Sequence, residues 1–462
     1  MGPQRGLATA VLCLAAAGLA GRLAAEDAGP AVAPGLDLAQ AQAQAAARNP
    51  GLRTLDALAA AAEARAWEPL AGYLPRLDAD WQHLFAAQYG GMDILFDGQN
   101  ISFPAAFPQD TLDLAADWTL FDGFRGLQQW RAAEAESRAA RLERDRAAFE
   151  LGQQVAIRFT KALAALQLTE VAMQNVATLE DHLRLAQANE VSGASTHFDV
   201  LRIQAQREEA LAAQVQAEDQ SGLARAALAQ AMGLSADART LEGGLPAPEA
   251  ESLADGDGPD LDRRGDFQAL RLRQQALAAR ALALESAWVP DVVLFWDRQF
   301  YHYGDFNPLI LETPAAGPYQ AGGEGFGRSD MLGLGARWNL FGGGADLARL
   351  LDARDQAKAA AAALEAAGLQ AQRDFDMWKR RYRDSARLYQ ARLRVLDQCR
   401  ESVRLAQLGL QAGTLTNSEV LDAELDLFRA RAGLVQAQAD AAEARLNIEL
   451  LKGDSQARQG QP

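Results

Sequence analysis

At 462 residues the chain has room for two or three globular domains, and its net charge of −16 argues against nucleic acid as a partner, because no basic stripe is available to neutralise phosphates. It is acidic, alanine-rich and poor in β-branched residues along its helical stretches, a composition that favours long helices.

The N-terminus has the form of a secretory signal over residues 1–25. Arg5 supplies the positive region, Leu7 to Ala20 the apolar core, and Gly18-Leu19-Ala20 or Ala24-Ala25 the small residues of a cleavage site. The apolar run is shorter than the roughly 20 residues of a membrane-spanning helix. Cys13 lies inside that run behind Leu12, where a lipid-modified signal wants a small residue, so anchoring through Cys13 is not expected. Once the signal is removed only Cys399 is left, and no intramolecular disulfide can form. No later segment could cross a bilayer as a helix, so any membrane role must use strands.

Residues 36–72 are helical in pattern, punctuated by Asn49-Pro50 as N-cap and first helical position. Pro69 should kink or end that helix. From Leu77 the period changes to two: Leu77, Ala79 and Trp81 alternate with Asp78, Asp80 and Gln82. After a Gly/Pro-rich loop at about 86–110, Leu112, Leu114, Ala116, Trp118 and Leu120 alternate with Asp113, Ala115, Asp117 and Thr119. Each run reads as a strand with one apolar and one polar face. A long helical pattern without proline follows over 126–190. Phe149, Val155, Phe159, Leu163, Leu166 and Val171 recur in it at spacings suited to coiled-coil packing, with alanines between them. Gly193 breaks it, and a second helix returns over 195–233.

Gly243 to Asp262 is a Gly/Pro/Asp linker, and the programme then repeats. Trp118-Thr119-Leu120-Phe121-Asp122-Gly123 returns 220 positions later as Trp338-Asn339-Leu340-Phe341-Gly342-Gly343, and Arg184-Leu185-Ala186-Gln187 returns at the same offset as Arg404-Leu405-Ala406-Gln407. Tyr73-Leu74-Pro75 matches Trp288-Val289-Pro290 at offset 215, so one loop differs in length between the halves. Val292, Leu294 and Trp296 lie on one strand face, although Val293 and Phe295 spoil the other. Leu332 to Leu340 alternates cleanly after a loop at about 301–330. A long helix over 345–410, a break at Gly413 and a returning helix over 415–451 complete the second half. The expected organisation is a first repeat at 36–241, a linker at 242–261, a second repeat at 262–452 and a disordered tail at 453–462.

Strands of about ten residues with one apolar face match the needs of an outer membrane. Four strands cannot close a barrel, and an open edge in lipid costs several kcal/mol per unpaired backbone group. Copies must therefore combine, two giving eight strands or three giving twelve, and a solute-wide pore favours twelve.

The duplicated Trp-x-Leu-Phe-x-Gly junction, Asn-Pro after a short helix, Leu-Pro before the first strand and paired long hairpins with glycine tips resemble the TolC-like outer-membrane efflux factors. The resemblance spans nearly all of the mature chain. It implies a mainly α fold with a membrane β-barrel. Long antiparallel helical hairpins would form an α-barrel, and four transmembrane strands per chain would build a 12-stranded barrel in a homotrimer. It implies a passive exit duct of a tripartite efflux or type I secretion system, lodged in the outer membrane and extending into the periplasm. Its partners would be a periplasmic membrane-fusion adaptor, an inner-membrane transporter and outer-membrane lipid. A soluble periplasmic coiled-coil scaffold without a pore is the alternative.

Within that resemblance Glu419 and Asp422, three apart on one helix face, match the carboxylate pair at the family's pore constriction, with Asp199 as the first-half acid. The plainer reading is two solvated acids at a helix start, where the dipole favours them. Leu415 stands where the family often has a basic residue that helps to close the tunnel. Gly193, Ala194, Gly413 and Thr414 mark the tips where adaptors dock in the family. Trp118, Phe121, Gly123, Trp338, Phe341 and Gly343 form the strand-to-helix junctions. Independently of the resemblance, Trp81, Trp118, Trp296 and Trp338 fall on the apolar face of ten-residue strands, which favours a lipid-facing or interfacial role over the core of a soluble β-domain.

Gly322-Gly323-Glu324-Gly325-Phe326-Gly327 lacks the strand–loop–helix unit of a phosphate site and reads as an extracellular loop. Asp255, Asp257, Asp260 and Asp262 have the wrong spacing for a calcium loop. His83, His182, His197 and His302 are scattered without a catalytic or metal pattern. No enzyme, cofactor or metal is expected.

Overall fold

A computed structural model gives the fold over residues 35–85, 91–96, 98–104, 109–193, 196–248, 258–303, 309–313, 317–321 and 325–453. The signal segment, Ala194, Asp255, Asp257, residues 322–324 and the tail beyond Gly453 lie outside the described residues.

Two short helices open the first half, α1 (Leu38–Arg48) and α2 (Pro50–Arg65). Asn49 joins them: its Oδ1 accepts the Gly51 N–H at 2.8 Å to cap α2, and its Nδ2 donates to the Ala231 carbonyl at 3.1 Å. Pro69 does not terminate this helix. The helix stops at Arg65, and Pro69 sits in the first turn of a separate short helix, α3 (Glu68–Ala71), where a missing N–H leaves nothing unpaired.

The strands of both halves form one antiparallel sheet. It joins β1 (Arg76–His83), β4 (Asp110–Phe121), β5 (Asp291–Tyr303) and β8 (Gly325–Arg337) in that order, so β1 and β8 are its edges. The two segments expected as plain loops contain hairpins: β2 (Gly91–Phe96) with β3 (Gln99–Pro104), and β6 (Leu309–Thr313) with β7 (Gly317–Ala321). Gly325, Phe326 and Gly327 begin β8 rather than belonging to a loop.

The expected alternation through Leu340 also ends early, at Arg337. The reason is the partner. Arg337 pairs with Asp291, the first residue of β5, and Pro290 before it has no N–H to extend the ladder. β4 continues to Phe121 because it still has Val293 and Val292 beside it, across a bulge at Thr119/Phe121. The irregular face of β5 is accommodated by glycine. A Cβ on Gly333 would come within 2.5 Å of the Phe295 ring, so the aromatic covers a position that only glycine leaves open.

Behind the sheet run α4 (Arg125–Val191) and α7 (Ala345–Gln411), each 67 residues and each about 100 Å long. They return through α5 (His197–Ala231) and α8 (Asn417–Lys452), while α6 (Gly265–Glu285) stands at the start of the second half as α1 and α2 do in the first. All four long-helix boundaries of α4 and α7 keep the 220-residue offset.

Small side chains set the packing. Leu36, Ala41 and Ala45 meet Val155, Phe159 and Leu163 of α4 and Leu228 and Met232 at the end of α5. Leu36 also forms a parallel bridge with Leu241, which ties the two ends of the first half together. In the second half fully buried Phe375 and Tyr382 of α7 pack on Ala444 and Ile448 of α8. Deleting a side chain the size of Phe375 from such a core costs about 3–5 kcal/mol. These few large residues lock helices whose other buried positions are mostly alanine.

Candidate functional site

At the far end of each hairpin the chain must reverse between two long helices. Gly193 and Gly413 do this with φ of 77° and 71°, and a Cβ on either would meet nothing within 4 Å. The requirement is therefore the left-handed backbone and not space. Thr414 secures the second tip by donating its Oγ1–H to the Gly409 carbonyl at 3.1 Å. Leu415 lies over Gly409, where an added Cβ would approach its Cδ1 to 2.6 Å. The position that in the family often carries a basic group is thus an apolar packing residue.

Each returning helix opens with the same reciprocal cap. Thr196 N–H and Oγ1–H donate to Asp199 Oδ2 at 3.1 and 2.7 Å, and Thr416 N–H and Oγ1–H donate to Glu419 Oε2 at 2.7 and 2.9 Å. The Thr416 backbone and hydroxyl hydrogen bonds hold the Glu419 carboxyl below its usual range. Glu419 and Asp199 are therefore structural equivalents, both acidic side chains that cap a helix N-terminus.

Asp422 has a different environment. Its Oδ1 accepts from Arg202 Nη2 of α5 at 3.2 Å, and Arg202 Nη1 donates to Ser418 Oγ. Positions 202 and 422 are separated by the repeat offset, so the two halves place opposite charges at equivalent sites and pair them. Sequence reading missed Arg202, although an alignment of the two halves would have exposed the charge reversal. The returning helices α5 and α8 are joined just behind the tips by this ion pair and by Leu421, which is buried among Val176, Leu179 and Ile203.

The sheet presents two chemically distinct faces. On one, register aligns Leu77, Ala116, Trp296 and Leu332, and beside them Trp118, Leu294 and Leu334. Trp81, Leu332 and Leu334 are 69, 71 and 68% exposed on this face, an apolar surface with no cover from its own chain. Trp338 does not share it, because it lies past the end of β8. The opposite face carries Asp78, Asp80, Asp113, Asp117 and Asp297, with Asp80 directly opposite Asp113 and Asp117 opposite Arg76.

The fold also connects histidines that looked unrelated in sequence. His83 and His302 are cross-strand neighbours of Asp110 on either side, with Nδ1 atoms 2.5 and 3.3 Å from its carboxylate. His182 approaches Glu424, and His197 approaches Glu190. Among the described residues no group of three or more such side chains is arranged to hold a metal ion.

At the first junction Trp118 donates to the Tyr73 carbonyl, Tyr73 Oη–H donates to Asp122 Oδ1 at 2.9 Å, and Gly126 N–H donates to Asp122 Oδ2 at 2.7 Å. Gly123, at φ 68°, would place a Cβ 2.9 Å from Val289 Cβ of the other half. Phe121 meets Phe124 edge-on at 5.5 Å. In the second junction Trp338 donates to the Trp288 carbonyl, Gly343 takes φ 65°, and Phe341 is 84% exposed.

The model of the family described as outer membrane efflux protein matches residues 41–234 and 260–454, one match on each half. The chain belongs to the outer membrane efflux protein family. Membership places it in the outer membrane, extending into the periplasm. Solved structures of the same fold include the outer-membrane channel OprN (21% identity, 90% of each chain covered, TM-score 0.71). They also include VceC of Vibrio cholerae (18%, 90% of this chain and 96% of that one, 0.71) and MtrE of Neisseria gonorrhoeae in its open state (20%, 90% and 89%, 0.66). No curated protein matches the chain.

Proposed function

We propose that three copies of this efflux-family chain form an exit duct, a 12-stranded barrel in the outer membrane continued by a helical tunnel. The observation that carries this reading is the sheet itself: four strands, an exposed apolar face and two edges, β1 and β8, without partners among the described residues. An unpaired edge in lipid is costly, and pairing β8 of one copy with β1 of the next removes it. Closure in this sense turns Trp81, Leu332 and Leu334 to lipid and Asp78, Asp80, Asp113 and Asp297 to the lumen.

The duct conducts passively. Glu419 and Asp422, repeated three times near the tunnel's end, set its narrowest opening. The tips at Gly193, Ala194, Gly413 and Thr414 meet a periplasmic adaptor, which joins the duct to an inner-membrane transporter. A soluble scaffold would have no use for an uncovered face of Trp and Leu on strands that each run roughly the depth of a bilayer. Light scattering of the detergent-purified protein, with bound detergent subtracted, is expected to give three chains. A monodisperse monomer that keeps its strand signal overturns the proposal.

A further inference from the structure

Within the chain α7 packs on α8 and α6, and its remaining long side is open, with Met377, Leu388 and Val395 exposed along it. That stretch is strongly positive in a chain of net charge −16. Between Met377 and Val395 stand Lys379, Arg380, Arg381, Arg383, Arg387, Arg392 and Arg394 against a single acid, Asp384. Arg387 is exposed and has no carboxylate partner among the described residues, and Arg381 has only the Trp378 ring, 5.1 Å from its guanidinium. Helix α5 has an open side of the opposite sign. Val215 and Leu223 are exposed there with Glu218 and Asp219 between them. Asp219 has no cationic partner among the described residues, and Glu218 receives only the Gln214 side-chain amide at 2.7 Å.

The internal repeat indicates how two such sides would meet. Inside one chain α4 of the first half lies along α8 of the second, with Lys161 on Glu443 at 2.9 Å and Gln174 accepting from Arg431 at 3.1 Å. Shifting each partner by the 220-residue offset turns this contact into α7 against an α5 that must belong to another copy. The shift carries Lys161 to Arg381 and Glu443 to Leu223, and Gln174 to Arg394 and Arg431 to Leu211. Interpolation between those two levels sets Arg387 beside Glu218, while Arg381 falls one helical turn from Asp219. Exposed apolar side chains then face each other along the seam and opposite charges flank it.

We propose that α7 of each copy docks on α5 of the next, with Arg387 and Arg381 paired to Glu218 and Asp219. This rests on the reading of the duct as an assembly of copies and names the seam that joins them below the barrel. The contact is head-to-tail, so it closes into a ring. It also reuses the packing that already joins the two halves of one chain, with the ion pairs carried by different residues.

The test is crosslinking of the full chain in detergent, in a Cys399→Ser background. Arg387→Cys combined with Glu218→Cys should be joined between chains by a short bifunctional maleimide, and neither single substitution should. Charge reversal gives an arm without cysteine. Arg387→Glu or Glu218→Arg alone should weaken association about tenfold, because like charges then face each other, and the two together should restore it. Light scattering separates this seam from the reading it rests on. A trimer without the crosslink, or with reversals that the double variant does not rescue, overturns the seam and leaves the duct; a monomer overturns both. Crosslinking of Arg387→Cys to Glu170→Cys, on the exposed side of α4, in place of Glu218→Cys would also overturn it.

Discussion

Trp118 donates its indole N–H to the carbonyl oxygen of Tyr73 at 2.8 Å, and Trp338 repeats the contact with Trp288 at 3.1 Å. Each bond closes the point where the chain leaves a helix, enters the sheet and later leaves it for the next helix. The tryptophan at the end of one strand thereby fixes the start of another. That common geometry explains why the two halves keep this junction although the loop between their strands differs in length.

Removing either indole donor by Trp118→Phe or Trp338→Phe should lower stability by about 1 kcal/mol, the usual net worth of one hydrogen bond. The double variant should lose the sum, since the two bonds share no partner. Thermal denaturation in detergent followed by circular dichroism checks both statements, and an unchanged melting point in the double variant counts against the junction's role.

The junction glycines should differ. Gly123 and Gly343 both have positive φ, at 68° and 65°, so alanine at either is strained by about 1 kcal/mol. Only at Gly123 would the new Cβ also press to 2.9 Å from Val289 Cβ, while nothing lies within 4 Å at Gly343. Gly123→Ala is therefore expected to melt at a distinctly lower temperature than Gly343→Ala. Equal losses would mean that backbone conformation alone matters there.

His182 should make stability depend on pH. The Glu424 carboxylate holds its pKa above the usual value, against the opposing effect of burial, with Asp181 adding a smaller attraction. A raised folded pKa means that the protonated ring stabilises the fold. That contribution is complete below the unfolded value of 6.5 and is lost as pH rises through the folded one. Between pH 6 and 9 the melting temperature should fall, and His182→Gln should flatten the dependence. A steeper fall in the variant would place the titrating group elsewhere.

Much of this architecture was legible in the sequence because its signals are local and doubled. The proline-free helical runs, the Gly193 and Gly413 breaks and the alternation around Trp118 each recur at one offset, so each half checks the other. The hairpins β2–β3 and β6–β7 were not legible, since their strands are five or six residues long and carry no sustained alternation. The early end of β8 depends on which residue of β5 stands beside Arg337, a fact about pairing and not about β8. At the tips the acids themselves were evident, but their partners were not. Thr416 could have been read as the first residue of a capping box, whereas Arg202 reaches Asp422 only through the packing of α5 on α8.

Those partners determine how the tunnel opening must be tested. Glu419 closes a cap, so replacing it with alanine would loosen the start of α8 and confuse charge with structure. Glu419→Gln keeps an acceptor at the same position and removes only the charge. Asp422→Asn likewise keeps a group able to accept from Arg202. If three chains surround the opening, the pair of substitutions removes six carboxylates at a constriction, where like charges attract cations and exclude anions. Single-channel recording in planar bilayers should then show weaker cation selectivity and weaker block by multivalent cations added on the periplasmic side. Arg202→Gln should do the reverse, because it releases Asp422 from its counter-charge. Unchanged selectivity and block in both variants would leave Glu419 as a helix cap and Asp422 as one half of an ion pair, with the narrowest point of the duct somewhere else.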